Sequence, residues 1–166
     1  MNKGCVEPPD DPVPPSSYPK QLETIISLFE SLPEEEKVEN LIAYSEQAKK
    51  HEPKAGETFE LEDVRKDEEC TDSVGVFLNV DPEKRAHFKI TLGPQVQTLT
   101  KAMTSILCKG LDGSTPQEIL DVPGDFVPRI VGGNLVRIRS HTVYYILTRM
   151  KSACKVYLNR RRLVQG

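Results

Sequence analysis

The sequence predicts a single α+β domain in which a small antiparallel sheet is packed by helices. Its length of 166 residues suits one domain with a hydrophobic core of its own. Apolar residues recur at helical spacing near both ends of the chain, whereas two runs in the middle alternate with a period of two. Helices on either side of a short block of strands are typical of this fold class.

The first part of the chain is predicted to be a disordered tail. Residues 1–20 contain six prolines, which prevent a continuous helix. The segment lacks the apolar core of a secretory signal, and its acidic residues argue against a transit peptide. We therefore predict a proline-rich tail at 1–20, a folded domain at 21–158 and a basic C-terminal tail at 159–166.

Two short helices are predicted to open the domain. The first ends before Pro33 and has four apolar residues at helical spacing, Leu22, Ile25, Ile26 and Phe29. The second begins at the acidic residues 34–36, which suit the positive end of a helix dipole, and should stop before Pro53. Its apolar stripe consists of Val38, Leu41, Ile42, Ser45 and Ala48.

A β-hairpin is predicted in the middle of the chain. Residues 74–80 carry valine or leucine at every second position, and Ala86, Phe88 and Ile90 repeat the pattern. Residues 81–84 between the two runs are turn formers. The stretch just before the hairpin, residues 61–73, is interpreted as a charged loop that carries Cys70.

Three helices are predicted in the C-terminal half. The first has a buried stripe and ends near Gly110 and Gly113; the stripe is Val96, Leu99, Met103, Ile106 and Leu107. The second begins with the capping-box pattern of residues 115–118, with proline at the first helical position. After a loop rich in glycine and proline, Ser140 is predicted to cap the last helix, whose stripe is Val143, Ile146, Leu147, Met150, Cys154 and Tyr157.

Composition excludes several classes of function. No apolar run is long enough to cross a membrane. No phosphate loop or nucleotide fingerprint is present, so we expect no cofactor. The four cysteines are widely separated and lack the spacing of a zinc site, so we expect no metal and free thiols in a reducing compartment. The basic residues 160–162 come without a nucleic-acid motif, so we interpret them as a solvated end.

Cys70 is the candidate functional residue. It directly precedes a predicted strand and lies among residues that prefer water, where a thiol could be presented to a partner. Eight acidic residues lie between positions 57 and 72, against Arg65 and Lys66, and this excess of negative charge disfavours the thiolate. The residues alone therefore leave open whether Cys70 is reactive or an ordinary surface cysteine.

Five segments of the chain carry weak motifs that follow one another in a recognisable order. They are residues 26–32, 38–44, 100–119, 122–127 and 139–151. The third includes T-K-A-M and T-P-Q-E-I, the fourth reads V-P-G-D-F-V, and the last begins with Arg139 and Ser140. In this order the segments resemble the SufE family of sulfur-acceptor proteins. Cys70, four residues before Val74, falls where the family has its V-x-G-C-x-S-x-V-W pattern.

The departures from the family pattern are concentrated around the cysteine. Glu69 stands where the family has glycine, and Asp72 stands where it has serine. Gly75 replaces the tryptophan of the strand, Thr142 replaces the glycine after the arginine, and residues 94–96 replace an acidic motif. The scaffold is therefore more similar to the family than the site is.

The resemblance implies a SufE/IscU-like single domain and a role in sulfur transfer. A cysteine desulfurase would pass its persulfide sulfur to Cys70, and Arg139 would supply positive charge near the thiolate unless it is an ordinary surface arginine. The chain would then act as a sulfur carrier and desulfurase activator rather than as a stand-alone turnover enzyme, and it would need no cofactor.

The resemblance also implies the partners. We expect a SufS-like cysteine desulfurase and a downstream cluster scaffold, and neither nucleic acid nor a membrane. A reducing intracellular compartment is expected; the cytoplasm is favoured for the chain as given, with the plastid stroma and the mitochondrial matrix as alternatives.

Two other functions stay open at this point. The chain could be an interaction module that binds a desulfurase or an assembly partner without accepting sulfur, as the acidic residues around Cys70 suggest. It could also be a thiol hydrolase using Cys70 and His141, which would need an oxyanion hole that the sequence does not reveal.

Overall fold

The structure is a computed structural model that describes residues 18–66, 73–93 and 96–165, with residues 65, 66, 73, 133–142, 164 and 165 described by their backbone alone. The elements follow one another as α1 (Lys20–Ser31), α2 (Glu34–Glu46), a 3₁₀ helix (Ala48–His51), β1 (Leu61–Lys66), β2 (Ser73–Val80), β3 (Ala86–Leu92), α3 (Thr98–Leu111), α4 (Pro116–Leu120), a 3₁₀ helix (Gly124–Phe126), α5 (Val127–Val131) and α6 (Gly133–Gln165). The predicted α+β class, with one small antiparallel sheet packed by helices, is confirmed.

The sheet has three antiparallel strands in the order β1-β2-β3. Val76, in the central strand, lies opposite Asp63 of β1 and Ile90 of β3. The alternating residues of β2 face the helices, and Val76 and Leu78 are fully buried. The predicted hairpin is therefore confirmed, with its apolar face against the core.

The interpretation of residues 61–66 as a loop was wrong, because they form strand β1. The segment has few apolar residues since β1 is an edge strand of the sheet: Leu61 is buried, whereas Val64 is 64% exposed. Charged residues are common on edge strands, where they discourage pairing with other chains. Because charged residues are abundant in β1, hydrophobic alternation did not predict this strand.

Helix α3 lies at the centre of the fold and packs against α1, α2, α6 and β3. Ten of its 14 residues are buried, including Met103, Ile106 and Leu107. Gly110 lets α1 approach closely, because a Cβ atom there would lie 3.1 Å from the Cα of Leu22. On the outer side, α2 buries Leu41 but leaves the rest of its predicted apolar stripe largely outside the core, with Val38 and Ile42 nearly half exposed.

The last helix begins earlier than the sequence predicts. Ser140 is not its cap, because α6 starts at Gly133 and runs through that position. The break falls instead at Gly132, whose φ of 82° suits glycine and ends α5. Part of the predicted glycine- and proline-rich loop is helical too, since Pro128 lies in the first turn of α5, where proline is tolerated.

At each predicted boundary of the domain, the structure describes residues that the sequence assigned to a tail. Tyr18, assigned to the tail, packs edge-on against Phe126 and hydrogen-bonds Asp125. At the other end α6 continues to Gln165, beyond the boundary placed at residue 158. The division at residues 20 and 158 stays a prediction, and most of the proline-rich tail, residues 1–17, lies outside the described residues.

Candidate functional site

The predicted acceptor, Cys70, lies outside the described residues, in the segment 67–72. The structure does describe what this segment joins. Strands β1 and β2 pair antiparallel up to Lys66 opposite Ser73. Cys70 therefore belongs to the connection between two paired strand ends, and the site can be built from the residues that hold those ends.

A buried arginine on α6 holds the two strands together near that connection. Arg149 is 2% exposed. Its Nη2 donates to the carbonyl oxygen of Asp63 at 2.6 Å, and its Nη1 donates to the carbonyl oxygen of Val74 at 2.8 Å. The same guanidinium thus binds the backbone of β1 and the backbone of β2.

The side chain of Asp63 balances the charge of this arginine. Its two carboxylate oxygens lie 3.2 Å from Nη2 and 3.3 Å from Nε of Arg149. Tyr145, one turn earlier on α6, places its hydroxyl 3.4 Å from Nη1 and its ring 5.5 Å from the guanidinium carbon. Burying a cation is costly unless it is paired and hydrogen-bonded, and these contacts meet that need. We call Arg149 and Asp63 the clasp.

The sequence reasoning missed the clasp, although one signal for it was present. Arg149 falls on the apolar side of α6, three residues after buried Ile146 and next to buried Met150. A charged residue on a buried stripe requires a partner, so its position was informative. The partner could not be read from the sequence, because Asp63 lies 86 positions away.

The position of β1 along α6 shows toward which end of that helix the strand runs. The beginning of β1 and the C-terminal part of α6 line a cavity of about 190 Å³, formed by Leu61, Glu62, Asp63, Ser152, Ala153, Val156 and Arg160. Asp63 lies at the level of Arg149, nearer the middle of α6. The later residues of β1 therefore head toward the N-terminal part of the helix.

Arg139 is in that N-terminal part of α6. Its backbone lies about 15 Å from that of Arg149 along the helix axis, at the usual rise per residue. Its side chain is not among those described. The structure therefore does not test whether Arg139 meets Cys70, and the same holds for His141, two residues further on.

The two described cysteines are poor nucleophiles. Cys108 is 2% exposed on α3, and Cys154 is fully buried on α6; both are free thiols. Burial raises the pKa of each to about 12, because the apolar surroundings disfavour the thiolate. The predicted place of Cys154 on the apolar stripe of the last helix is consistent with this burial.

A second polar cluster lies at the far end of the sheet. His87 on β3 contacts Asp81 through Nε2 at 2.9 Å and Asp112 through Nδ1 at 2.7 Å. Burial alone would lower the pKa of His87, but the hydrogen bonds to both aspartates outweigh it, so the pKa lies above its usual value. Both ring nitrogens of His87 contact an aspartate, so this cluster connects the β2–β3 turn to the end of α3.

Within the described ranges, no cluster of His, Cys, Asp or Glu has the arrangement of a metal site. The same part of the chain contains no helix long and apolar enough to span a membrane. A cavity of about 400 Å³ lies between the end of α2, β3 and the start of α3, with Glu46, Lys49 and Lys101 in its lining. It is a mixed-charge surface cleft that contains none of the predicted site residues.

Comparison with known proteins shows the relationship of the chain. A solution structure of a hypothetical protein from Thermus thermophilus is similar, with a TM-score of 0.69 and 22% sequence identity over 86% of this chain and 98% of that one. At this identity the likeness establishes the fold alone. A comparison with curated proteins gave no significant match. The family model for SufE, described as the Fe-S metabolism associated domain, matches residues 23–154, which is most of the chain. The protein therefore belongs to the SufE family, and its domain is one associated with iron–sulfur metabolism.

Proposed function

We propose that this protein accepts persulfide sulfur from a cysteine desulfurase onto Cys70 and thereby supports iron–sulfur cluster assembly. The observation that carries the proposal is the family match across residues 23–154, a range that contains Cys70 and the segment that resembles the family's cysteine motif. The buried clasp supports it, because Arg149 joins the strands on either side of the Cys70 connection. The burial of Cys108 and Cys154 supports it too, since their thiols are shielded from a large donor.

The reaction is a thiol–persulfide exchange. The Cys70 thiolate attacks the terminal sulfur of the desulfurase persulfide, so that a new S–S bond forms at Cys70. The S–S bond of the donor breaks, and the donor cysteine leaves as a thiolate. The exchange consumes no external oxidant or reductant, and its rate depends on the thiolate fraction and on access.

Arg139 is proposed as the cation that favours the Cys70 thiolate. A positive charge near a thiol stabilises its ionised form, which would offset the acidic residues on either side of Cys70. The course of β1 toward the N-terminal part of α6 supports this role. The proposed partners are a SufS-like desulfurase and a downstream cluster scaffold, in a reducing compartment.

The test is desulfurase turnover, followed as alanine formed from cysteine. Wild-type protein is expected to accelerate turnover, and Cys70→Ser is expected to abolish the acceleration. Cys5→Ser is the matched control, since it removes a thiol from the tail and should keep the wild-type effect. Arg139→Gln should reduce the acceleration, and Arg139→Lys should retain more of it than Arg139→Gln does.

A second candidate is an interaction module that binds the desulfurase without accepting sulfur. It is favoured by the replacements at Glu69 and Asp72, which add negative charge beside Cys70. In that case Cys70→Ser would accelerate turnover as well as the wild-type protein does, and the acceptor proposal would be wrong.

A further inference from the structure

We infer that Arg149 is a positioning residue for Cys70, which it holds in place through the strands rather than by contact with the sulfur. This inference rests on the proposed function, because it describes how the acceptor cysteine is presented. It concerns a residue on the middle of α6, ten positions beyond the arginine that the family motif includes.

The first argument is the placement of its hydrogen bonds. Asp63 lies three residues before the end of β1, and Val74 is the second residue of β2. Arg149 binds the main-chain carbonyl of each, at 2.6 Å and 2.8 Å. Arg149 therefore binds β1 shortly before, and β2 shortly after, the connection that carries Cys70.

The second argument is what these bonds prevent. A slip of one residue between paired strands turns every side chain to the opposite face of the sheet. Few apolar side chains oppose such a slip in β1, whose Val64 is 64% exposed. Because Arg149 binds main-chain atoms of both β1 and β2, it helps to hold their register where β1 contributes few apolar side chains.

The third argument is the chemistry of the side chain. A guanidinium is planar and presents several donors in a fixed fork, so it can reach two carbonyls and a carboxylate together. A lysine ammonium at the same place keeps the charge but has one nitrogen, which cannot span the same acceptors. The arrangement therefore depends on arginine and not only on a positive charge.

The clasp also links the Cys70 connection to α6. Arg149 and Arg139 belong to the same helix, so the strands that present the sulfur and the proposed thiolate-stabilising cation are held as one unit. Loosening the clasp should let the paired ends of β1 and β2 shift relative to α6, and with them the geometry that the proposed function requires between Cys70 and Arg139. The Cys70 thiolate would then lose stabilisation.

The test measures the rate of Cys70 alkylation by iodoacetamide as a function of pH, without a desulfurase. All variants are made in a Cys5→Ser background, so that the remaining thiols are Cys70 and the buried pair Cys108 and Cys154. Peptide mapping assigns the modified residue. The outcome does not depend on whether sulfur transfer occurs, so it can be distinguished from a failure of the proposed function.

Arg149→Lys should slow alkylation near neutral pH by about threefold or more and move the midpoint of the profile to higher pH, as expected for a smaller thiolate fraction. Arg129→Lys is the matched control. Arg129 also forms a forked pair, with Glu30 at 2.8 Å and 3.0 Å, but on the surface and away from the sheet. This control should keep the wild-type rate and midpoint.

A purely structural role predicts a different result. Arg149→Lys would lower the melting temperature, yet the alkylation rate and the midpoint of its pH profile, measured well below that temperature, would match the wild type. That result would overturn the inference. If Arg149→Lys fails to fold, Asp63→Asn decides, because it keeps an oxygen acceptor and weakens the charge-assisted bonds with Arg149. Asp63→Asn should shift the midpoint in the same direction, and an unchanged midpoint would overturn the inference.

Discussion

Replacing Arg149 by methionine should destabilise the fold far more than removing an exposed arginine does. Methionine keeps much of the length and apolar bulk of the side chain but provides no donor. The Asp63 carboxylate would then lose its ion pair with Arg149, and the carbonyls of Asp63 and Val74 would each lose a hydrogen bond. Removing one partner of a buried ion pair, together with the donor of two buried hydrogen bonds, is among the costliest single changes in a protein.

The size of the effect follows from the burial of the two partners. Breaking a buried ion pair costs about 3–5 kcal/mol. The Asp63 side chain is 19% exposed, so water can partly solvate the remaining carboxylate and we expect the lower end of that range. For a domain of this size each kcal/mol lowers the melting temperature by about 2–4 °C, so the expected drop is roughly 6–12 °C.

The assay is thermal unfolding at neutral pH, followed by circular dichroism. Arg129→Met is the matched control, because the Arg129 and Glu30 side chains are 43% and 42% exposed and surface pairs contribute little. The double variant Arg149→Met/Asp63→Leu removes both charges and should recover part of the lost stability. If Arg149→Met lowers the melting temperature no more than Arg129→Met does, the clasp does not stabilise the fold and the reasoning is refuted.

Three further predictions concern the scaffold. Gly110→Ala should lower the melting temperature or leave it unchanged, because overpacking of about 1–3 kcal/mol against the backbone of Leu22 exceeds or cancels the helix-propensity gain of about 1 kcal/mol; a clear increase would contradict the close approach. Thr115→Ala should cost about 1 kcal/mol in urea unfolding, since it removes one half of a reciprocal capping box, and an unchanged midpoint would count against that cap. The pKa of His87 is raised in the folded state, so its contribution is complete below the unfolded value of about 6.5 and is lost as the pH rises through the higher folded value. His87→Gln should therefore flatten the decline in stability as the pH rises above about 6.5, and an undiminished decline would assign it to other groups.

The sequence predicted the parts of the fold that depend on local patterns. The alternation around Val76 identified the central strand, and the spacing of residues 115–118 identified a capped helix. Local patterns failed where the decisive contact is distant. Strand β1 is stabilised by β2 and by Arg149, so its own composition resembles a loop. Ser140 was a plausible cap, but the left-handed backbone at Gly132 determined where α6 begins.

The candidate site was predictable only in part, for the same reason. Cys70 was identified by its motif position, which is a local property of the chain. The clasp joins Arg149 to residues 75 and 86 positions earlier, and no pattern in one sequence specifies such a pair. A charged residue on the buried stripe of α6 indicated that a partner exists, but only the fold shows that the partner lies beside the Cys70 connection.

Mass spectrometry of the intact protein, after incubation with a cysteine desulfurase and cysteine under conditions that preserve persulfides, tests the central claim most directly. The account predicts the added mass of one sulfur atom, mapped to the peptide with Cys70 and absent from Cys70→Ser. A protein that binds the desulfurase but gains no sulfur, or gains it elsewhere than on Cys70, would contradict the account.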